Sequence, residues 1–342
     1  AQSPADVIPS SLVSIIFGFI LVYRVVPAHQ ILARSSGSSA WQPTFTAMKV
    51  FLAEYSVCND PGLAPEGAAM LAAISGSFDR CGYDVVTPEG PDLEDGIRRL
   101  APGCDAGLVI APDHLLFRYT HLLEQVTHNI GCGSMNAAVC ANKQRTAAIL
   151  ARHGIAVPPG AGKGRRVVKP VMGCGALGVR LTDEEPGAGE FAQAYIEGEA
   201  LSVSLVGSRV TGNVCEYYSG NPPLLLSVNR QEIAVADDGS FQYLGGETPV
   251  HPDREEEIVD VAVRAMNVLG CQGYAGIDVI VGDRIYVVDV NPRPTTSLVG
   301  IVAIMEEEIA DILIKASHGK APAEVHLSGR VRFDKDGRIT RA

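Results

Sequence analysis

At 342 residues, with 46% apolar and 20% charged residues, the chain is globular and long enough for roughly two or three domains around a substantial core. A net charge of −11 argues against a nucleic-acid or anionic-membrane surface as its main partner. Eight cysteines with no C-x-x-C spacing point to reduced thiols in a cytoplasmic protein, not to a disulfide framework or a zinc site.

Residues 1–47 do not read like the rest. Leu12 to Val26 is an apolar run interrupted by Arg24, short of the roughly 20 residues that a spanning helix needs. It resembles a signal-peptide core but has no basic residue ahead of it. Ser35-Ser36-Gly37-Ser38-Ser39 then reads as a linker. The expectation is that 1–47 is an extension outside the fold and that the functional protein starts at Met48, with a membrane tether as the alternative.

From Met48 the pattern alternates. Strands are expected at Lys49 to Ala53, Gly82 to Val86 and Ala106 to Ala111, with helices at Pro65 to Cys81 and Leu115 to Val126. Such alternation predicts a parallel sheet, and ligands on such sheets sit at the carboxyl ends of the strands. Glu54, Tyr55 and Glu66 fall near that edge as candidate substrate contacts or as ordinary loop polar residues. His114, His121 and His128 recur every seven residues, about two helical turns apart, so surface positions are expected rather than a shared metal ion.

Asn136 to Pro159 reads as a helix that stops at Gly154 and Pro158-Pro159. A short strand, Arg165 to Pro170, leads into Gly173-Cys174-Gly175-Ala176-Leu177-Gly178. The string matches G-x-G-x-x-G, but a dinucleotide fold needs a helix opening at the third glycine. Here Val179-Arg180-Leu181 continues as a strand and Glu184 to Gly187 is a turn. A hairpin with a Gly-rich tip that folds backbone N–H groups over phosphates fits better, with Lys169 just ahead as a point charge. An oxidoreductase reading rests on that string alone. Cys174 invites a redox-switch idea, against the plainer reading of a small loop residue.

Tyr274 to Val299 carries the densest pattern. Two β-branched runs flank Gly282-Asp283, which reads as a two-residue hairpin turn with Gly at positive φ. In that register Asp278 lies opposite Val287, with Asp289 its diagonal neighbour and Asn291 on the same face. Ile277, Val279, Val281, Tyr286, Val288 and Val290 take the apolar face. Oxygen ligands with few donors suit Mg²⁺ or Mn²⁺ with room left for phosphate oxygens, while solvated carboxylates on an exposed face are the bland alternative. Thr295, Thr296 and Ser297 follow, as substrate contacts or as caps of a helix starting near Leu298.

Taken together, Asn142-Lys143, Lys169 with the 173–178 loop, Tyr195-Ile196-Glu197-Gly198-Glu199, and Asp278 with Asp289-Val290-Asn291-Pro292-Arg293 resemble the ATP-grasp superfamily of carboxylate–amine ligases in order and separation. The resemblance implies a mixed α/β and α+β fold, the ATP-grasp fold. A Rossmann-like N-terminal domain (48–135) precedes two α+β subdomains that clasp ATP, a lid (136–195) and a C-terminal one (196–342). It implies that Lys143 and Lys169 contact ATP phosphates beneath Gly173, Gly175 and Gly178. Tyr195, Ile196 and Glu197 would line the adenine edge. Glu199 stands nearest to the ribose role, because Ala200 occupies the position where many members carry Glu. Asp278, Asp289 and Asn291 would hold Mg²⁺ or Mn²⁺, and Arg293 with Lys169 would act on the transferred phosphoryl group.

A narrower similarity, to the tyramine–glutamate ligases of methanofuran biosynthesis, rests on five stretches: Ala53 to Val57, Glu66 to Leu71, Asn229-Arg230-Gln231, Tyr243 to Gly246 and Asn291 to Ser297. It implies small-molecule partners, the γ-carboxylate of glutamate and an amine such as tyramine, with Glu54, Glu66, Thr295, Thr296 and Ser297 on the substrate side. Another acid and amine pair, or a non-catalytic nucleotide-sensing module, remain alternatives that an amine-dependent ADP-release assay separates.

Overall fold

The computed structural model describes residues 47–162, 165–173, 175–209 and 222–341. All but the last residue of the expected extension, and Cys174, lie outside them. Among the described residues no helix is long and apolar enough to cross a membrane.

The first part of the chain runs β1 (Lys49–Glu54), α1 (Ser56–Asn59), α2 (Ala64–Arg80), β2 (Asp84–Val86), α3 (Leu93–Leu100), β3 (Ala106–Ile110), α4 (Asp113–Glu124) and β4 (His128–Asn129). Its strands pair in parallel in the order β2-β1-β3-β4, as the alternation predicted. On α2 the apolar residues Met70, Ile74 and Phe78 recur every four positions and form one buried stripe against Val50 and Leu52 of β1 and Leu108 and Ile110 of β3. At about 2 kcal/mol for each such side chain, that stripe is a principal tie between helix and sheet. His114 and His121 are exposed as expected, but His128 is half-buried. Its ring stacks on His318 at 5.1 Å between centroids.

The helix expected over Asn136 to Pro159 is two helices, α5 (Ser134–Ala141) and α6 (Lys143–Arg152). Asn142 breaks the run: its backbone is extended (φ −94°, ψ 93°) and its side chain accepts the Arg145 N–H, capping α6. Then come β5 (Arg166–Pro170), β6 (Arg180–Thr182) and β7 (Glu190–Ala194), an antiparallel sheet in the order β6-β5-β7 whose β5–β6 connection is the glycine-rich segment.

The remaining elements are β8 (Glu199–Gly207), β9 (Leu224–Val235), β10 (Phe241–Thr248), α7 (Glu255–Leu269), β11 (Gly273–Val281), β12 (Ile285–Asn291), α8 (Ser297–Ile304), α9 (Ile309–Ser317), β13 (Val331–Asp334) and β14 (Ile339–Arg341). Their strands form a sheet in the order β12-β11-β8-β9-β10-β13-β14. Helix α7 packs behind it, with Ile258, Ala262, Ala265 and Met266 buried against Leu201, Val203 and Ile277.

The β11–β12 hairpin forms, but its register differs from the expectation. Asp278 pairs directly with Asp289, not with Val287, and a bulge follows so that Val279 pairs with Val287. Val288 is therefore the extra residue on β12, and alternation reverses there. Ile285, Val287 and Val290 join the core, while Tyr286 and Val288, expected there, do not. The turn spans Gly282 to Arg284, and Gly282 does not have the positive φ expected of it. Glycine is needed because a Cβ would come within 2.8 Å of the Glu197 carbonyl oxygen.

Candidate active site

A cavity of about 250 Å³ opens between the three-stranded sheet and the face of the hairpin that carries the carboxylates. Asp278, Asp289 and Asn291 form its floor. Two carboxylates directly opposite on neighbouring strands repel, so this register needs compensation. Lys143 supplies it: the first residue of α6, 8% exposed, it sets its ammonium in contact with Asp289 and 3.7 Å from Asp113. Burial lowers the Lys143 pKa, but Asp289 and Asp113 outweigh it and the net shift is upward. Burial raises Asp289 while Lys143 and Lys169 pull it down, and the pull prevails. Asp278 gains less cationic help: burial, reinforced by the Asp289 charge, lifts it to about 6.

The bulge places a second cation. Lys169 on β5 donates to the carbonyl oxygen of Val288, the extra residue, at 2.8 Å, and lies over the Phe191 ring. Burial pushes its ammonium down to about 8. Asp278 also accepts from Gln231 Nε2 (3.1 Å) and Asn291 Nδ2 (3.1 Å). Because the Asn291 amide donates through nitrogen, its oxygen is left as an acceptor. This donor set, two carboxylates and an amide oxygen with an ammonium already in contact with one of them, fits Mg²⁺ or Mn²⁺.

Gly173 and Gly175 line the roof with Ala176 and Leu177, whereas Gly178 packs on Pro170 and is not among the lining residues. One end is walled by Tyr195, Ile196, Ala194 and Pro158. Glu197 and Glu199 do not line the cavity; Glu199 is held by Arg230 at 2.9 Å. At the opposite end lie Glu66, Thr295, Thr296, Ser297, Tyr243 and Arg293. Thr296 donates to Glu66, and α8 has no side-chain cap at Thr296, so its hydroxyl serves the cavity end and not the helix terminus. The Thr295 hydroxyl is bonded to Tyr274, which also meets Ser204. Glu54 does not line the cavity; it accepts the Val57 N–H at 2.7 Å beside Gly67, with burial raising its pKa.

Arg293 Nε donates to Asp113 Oδ1 at 2.9 Å. Sequence reasoning singled out neither Asp113 nor the cavity roles of Gln231 and Tyr243. A signal for Asp113 existed, since Ala111-Pro112-Asp113 sits at the carboxyl end of β3, the edge where α/β sheets bind ligands.

A family model for the ATP-grasp domain matches residues 140–297. Tyramine–L-glutamate ligase of Methanocaldococcus fervens is 32% identical over 220 residues, covering 63% of this chain and 67% of the relative. The enzyme of the same name from Methanocaldococcus jannaschii is 31% identical over 237 residues, covering 67% and 68%. The chain belongs to the ATP-grasp family. The fold agrees: the structure of an ATP-grasp superfamily protein from Archaeoglobus fulgidus superposes with a TM-score of 0.69 at 28% identity, covering 84% of this chain and 92% of that one. ATP-grasp ligases use ATP with divalent cations, and the cavity of this chain brings the Lys143, Lys169 and Arg293 side chains together with the Asp278 and Asp289 carboxylates.

Proposed function

We propose that this ATP-grasp enzyme joins the γ-carboxylate of L-glutamate to tyramine or a tyrosine-like amine, giving ADP and phosphate. The observation that carries the reaction type is the convergence of Lys143, Lys169 and Arg293 on one cavity whose floor is Asp278, Asp289 and Asn291. The names of the relatives support the substrate pair.

A carboxylate resists amines because its leaving group would be oxide. In the proposed path a substrate carboxylate oxygen attacks the γ-phosphorus, the bond to ADP breaks, and the acyl phosphate then offers phosphate as leaving group. The amine attacks the carbonyl, loses a proton, and phosphate departs. Positioning and charge neutralisation dominate such transfers. Lys143 and Lys169 hold phosphate oxygens, and a phosphate beside Lys169 restores the proton that burial loosens. Asp278, Asp289 and Asn291 would hold Mg²⁺ or Mn²⁺, which supplies electrophilic neutralisation of the β- and γ-phosphates. Arg293 faces the transferred group, the 173–178 segment excludes water from the acyl phosphate, and Tyr195 and Ile196 flank the adenine. Glu66, Thr295, Thr296 and Ser297 take the acid and amine.

The test is a product screen: purified protein, ATP, Mg²⁺ or Mn²⁺, glutamate or another amino acid in its place, and a panel of amines, with ADP release and product mass measured. The expected outcome is amine-dependent ADP release and a γ-glutamyl amide. ADP release with other acids but not glutamate would overturn the substrate pair, and none with any pair would overturn the ligase reading. Asp289→Asn and Asn291→Ala should each lower turnover by at least about 10², the size of loss seen when a group stabilising transition-state charge is removed.

A further inference from the structure

Asp113 is a buried carboxylate beside this site that meets two cations from different parts of the fold, Lys143 and Arg293. It is 2% exposed and is the first residue of α4, at the carboxyl edge of the parallel sheet. Its Oδ1 accepts from Arg293 Nε at 2.9 Å. Its Oδ2 lies 3.7 Å from Lys143 Nζ and has no hydrogen-bond partner among the described residues. A carboxylate buried this deeply costs several kcal/mol in lost hydration, which only well-placed cations offset. Asp113 does not itself line the cavity, whereas both of its partners do. The Arg293 guanidinium is fixed by Asp113 through Nε and by the Pro294 carbonyl through Nη1 at 3.2 Å. Those contacts set the plane of the guanidinium and the edge it turns to the cavity.

We propose that Asp113 is a positioning residue for the phosphate end of the cavity, orienting Arg293 from the first sheet so that its guanidinium meets the terminal phosphate of a bound nucleoside triphosphate. The inference rests on the reading that the cavity binds ATP. It makes a prediction opposite to that of a simple charge effect. Removing a negative charge near a phosphate site strengthens phosphate binding if the charge acts only through space. If the carboxylate acts by holding Arg293, its removal weakens selection for the terminal phosphate.

The experiment measures dissociation constants of Mg·ADP and of the magnesium complex of the β,γ-imido analogue of ATP by calorimetry. The proteins are the wild type, Asp113→Asn, Arg293→Gln and the double variant; no substrate need be known. The quantity read is the preference for triphosphate over diphosphate. Asp113→Asn should lower it about tenfold, the size of one misplaced hydrogen bond between charged groups. The double variant should fall no further than Arg293→Gln within about twofold, because the two residues act through one contact. Asp113→Glu, which keeps the charge on a longer arm, should recover part of the preference. Far-UV circular dichroism and retained Mg·ADP binding certify the fold. If Asp113→Asn does not fold, the neutral double variant and Asp113→Glu carry the comparison. An unchanged or raised preference in Asp113→Asn, or a double variant worse by the product of the single effects, would overturn the positioning role. An Arg293→Gln variant with wild-type preference would instead overturn the assignment of Arg293 to the terminal phosphate. A wild type that binds neither nucleotide would overturn the ATP reading and this inference with it.

Discussion

Asp278 and Asp289 have the same chemistry and face each other across one hairpin, yet their protons are held differently. Lys143 touches Asp289, while Asp278 has neutral amides from Gln231 and Asn291. Burial therefore lifts Asp278 from 3.8 to about 6. In the folded chain the carboxyl keeps its proton to higher pH than in the unfolded chain. Stability from this group is thus complete below the unfolded value, falls as pH rises between the two values, and is lost above about 6. Asp278→Asn, which mimics the protonated form, should match the wild type near pH 4 and exceed it near pH 8 by on the order of 2 kcal/mol. Thermal melts of the nucleotide-free protein at both pH values check this; an equal gain at both, or a loss at pH 8, would sink it. Lys169 has the opposite sign: its value falls from 10.5 to about 8, so its contribution to stability improves as pH rises from 8 towards 10.5. The two windows do not overlap, so they can be read separately.

At the scale of elements, the glycine-rich hairpin is joined to a second hairpin by main-chain bonds. Leu181 on β6 donates to the Gly239 carbonyl at 2.8 Å, and Phe241 donates to the Val179 carbonyl at 2.9 Å. Gly239 sits at φ +82°, where a Cβ would lie 2.3 Å from the Leu181 oxygen. Gly239→Ala adds a left-handed strain of about 1–2 kcal/mol and a clash at this junction, so the two hairpins should part. Hydrogen exchange at the Leu181 and Phe241 amides should speed up by at least about tenfold while β11 amides keep their protection. Unchanged exchange at both amides would show that the junction does not depend on Gly239. Elements of this kind were partly legible in the sequence. The strand–helix alternation of 48–126 and the existence of the 273–291 hairpin follow from local periodicity, which a single chain segment carries. The register does not, because the Val288 carbonyl at the bulge is paired with Lys169 from another sheet, a partner that the hairpin's own sequence does not carry. The break at Asn142 escaped because helical periodicity continues across it. Glu199 is paired with Arg230, 31 residues away, a contact that no local pattern carries. Asp113 was hidden because its partners, Lys143 and Arg293, are distant in sequence.

At the scale of the whole described fold, the parallel sheet and the large antiparallel sheet share one apolar core. Met70, Ile74 and Phe78 of α2 belong to the same buried cluster as Leu298, Ile301, Ile312 and Leu313 of α8 and α9. A polar clasp lies beside it. Helix α9 begins after Glu308, whose side chain does not cap it, so the first N–H groups need a partner. Ser77, fully buried on α2, provides one: its hydroxyl oxygen accepts from the Ala310 N–H at 3.0 Å while it donates to Glu308 at 2.7 Å. Arg80, one turn further along α2, pairs with the same carboxylate at 2.6 Å. The cap of one helix is therefore supplied by another from the first sheet, and the two sheets should lose their structure together. Ser77→Ala leaves the buried Ala310 N–H without its acceptor, at a cost of about 1–3 kcal/mol. None of these residues lines the cavity, so Mg·ADP affinity should stay within about twofold of the wild type, as expected for distant, independent sites. Chemical denaturation followed by circular dichroism and by tyrosine fluorescence should give coincident curves in both proteins, with the variant's midpoint lower. Two separated transitions would mean that the shared core does not unite the sheets, and an unchanged midpoint would mean that the Ser77 cap contributes nothing.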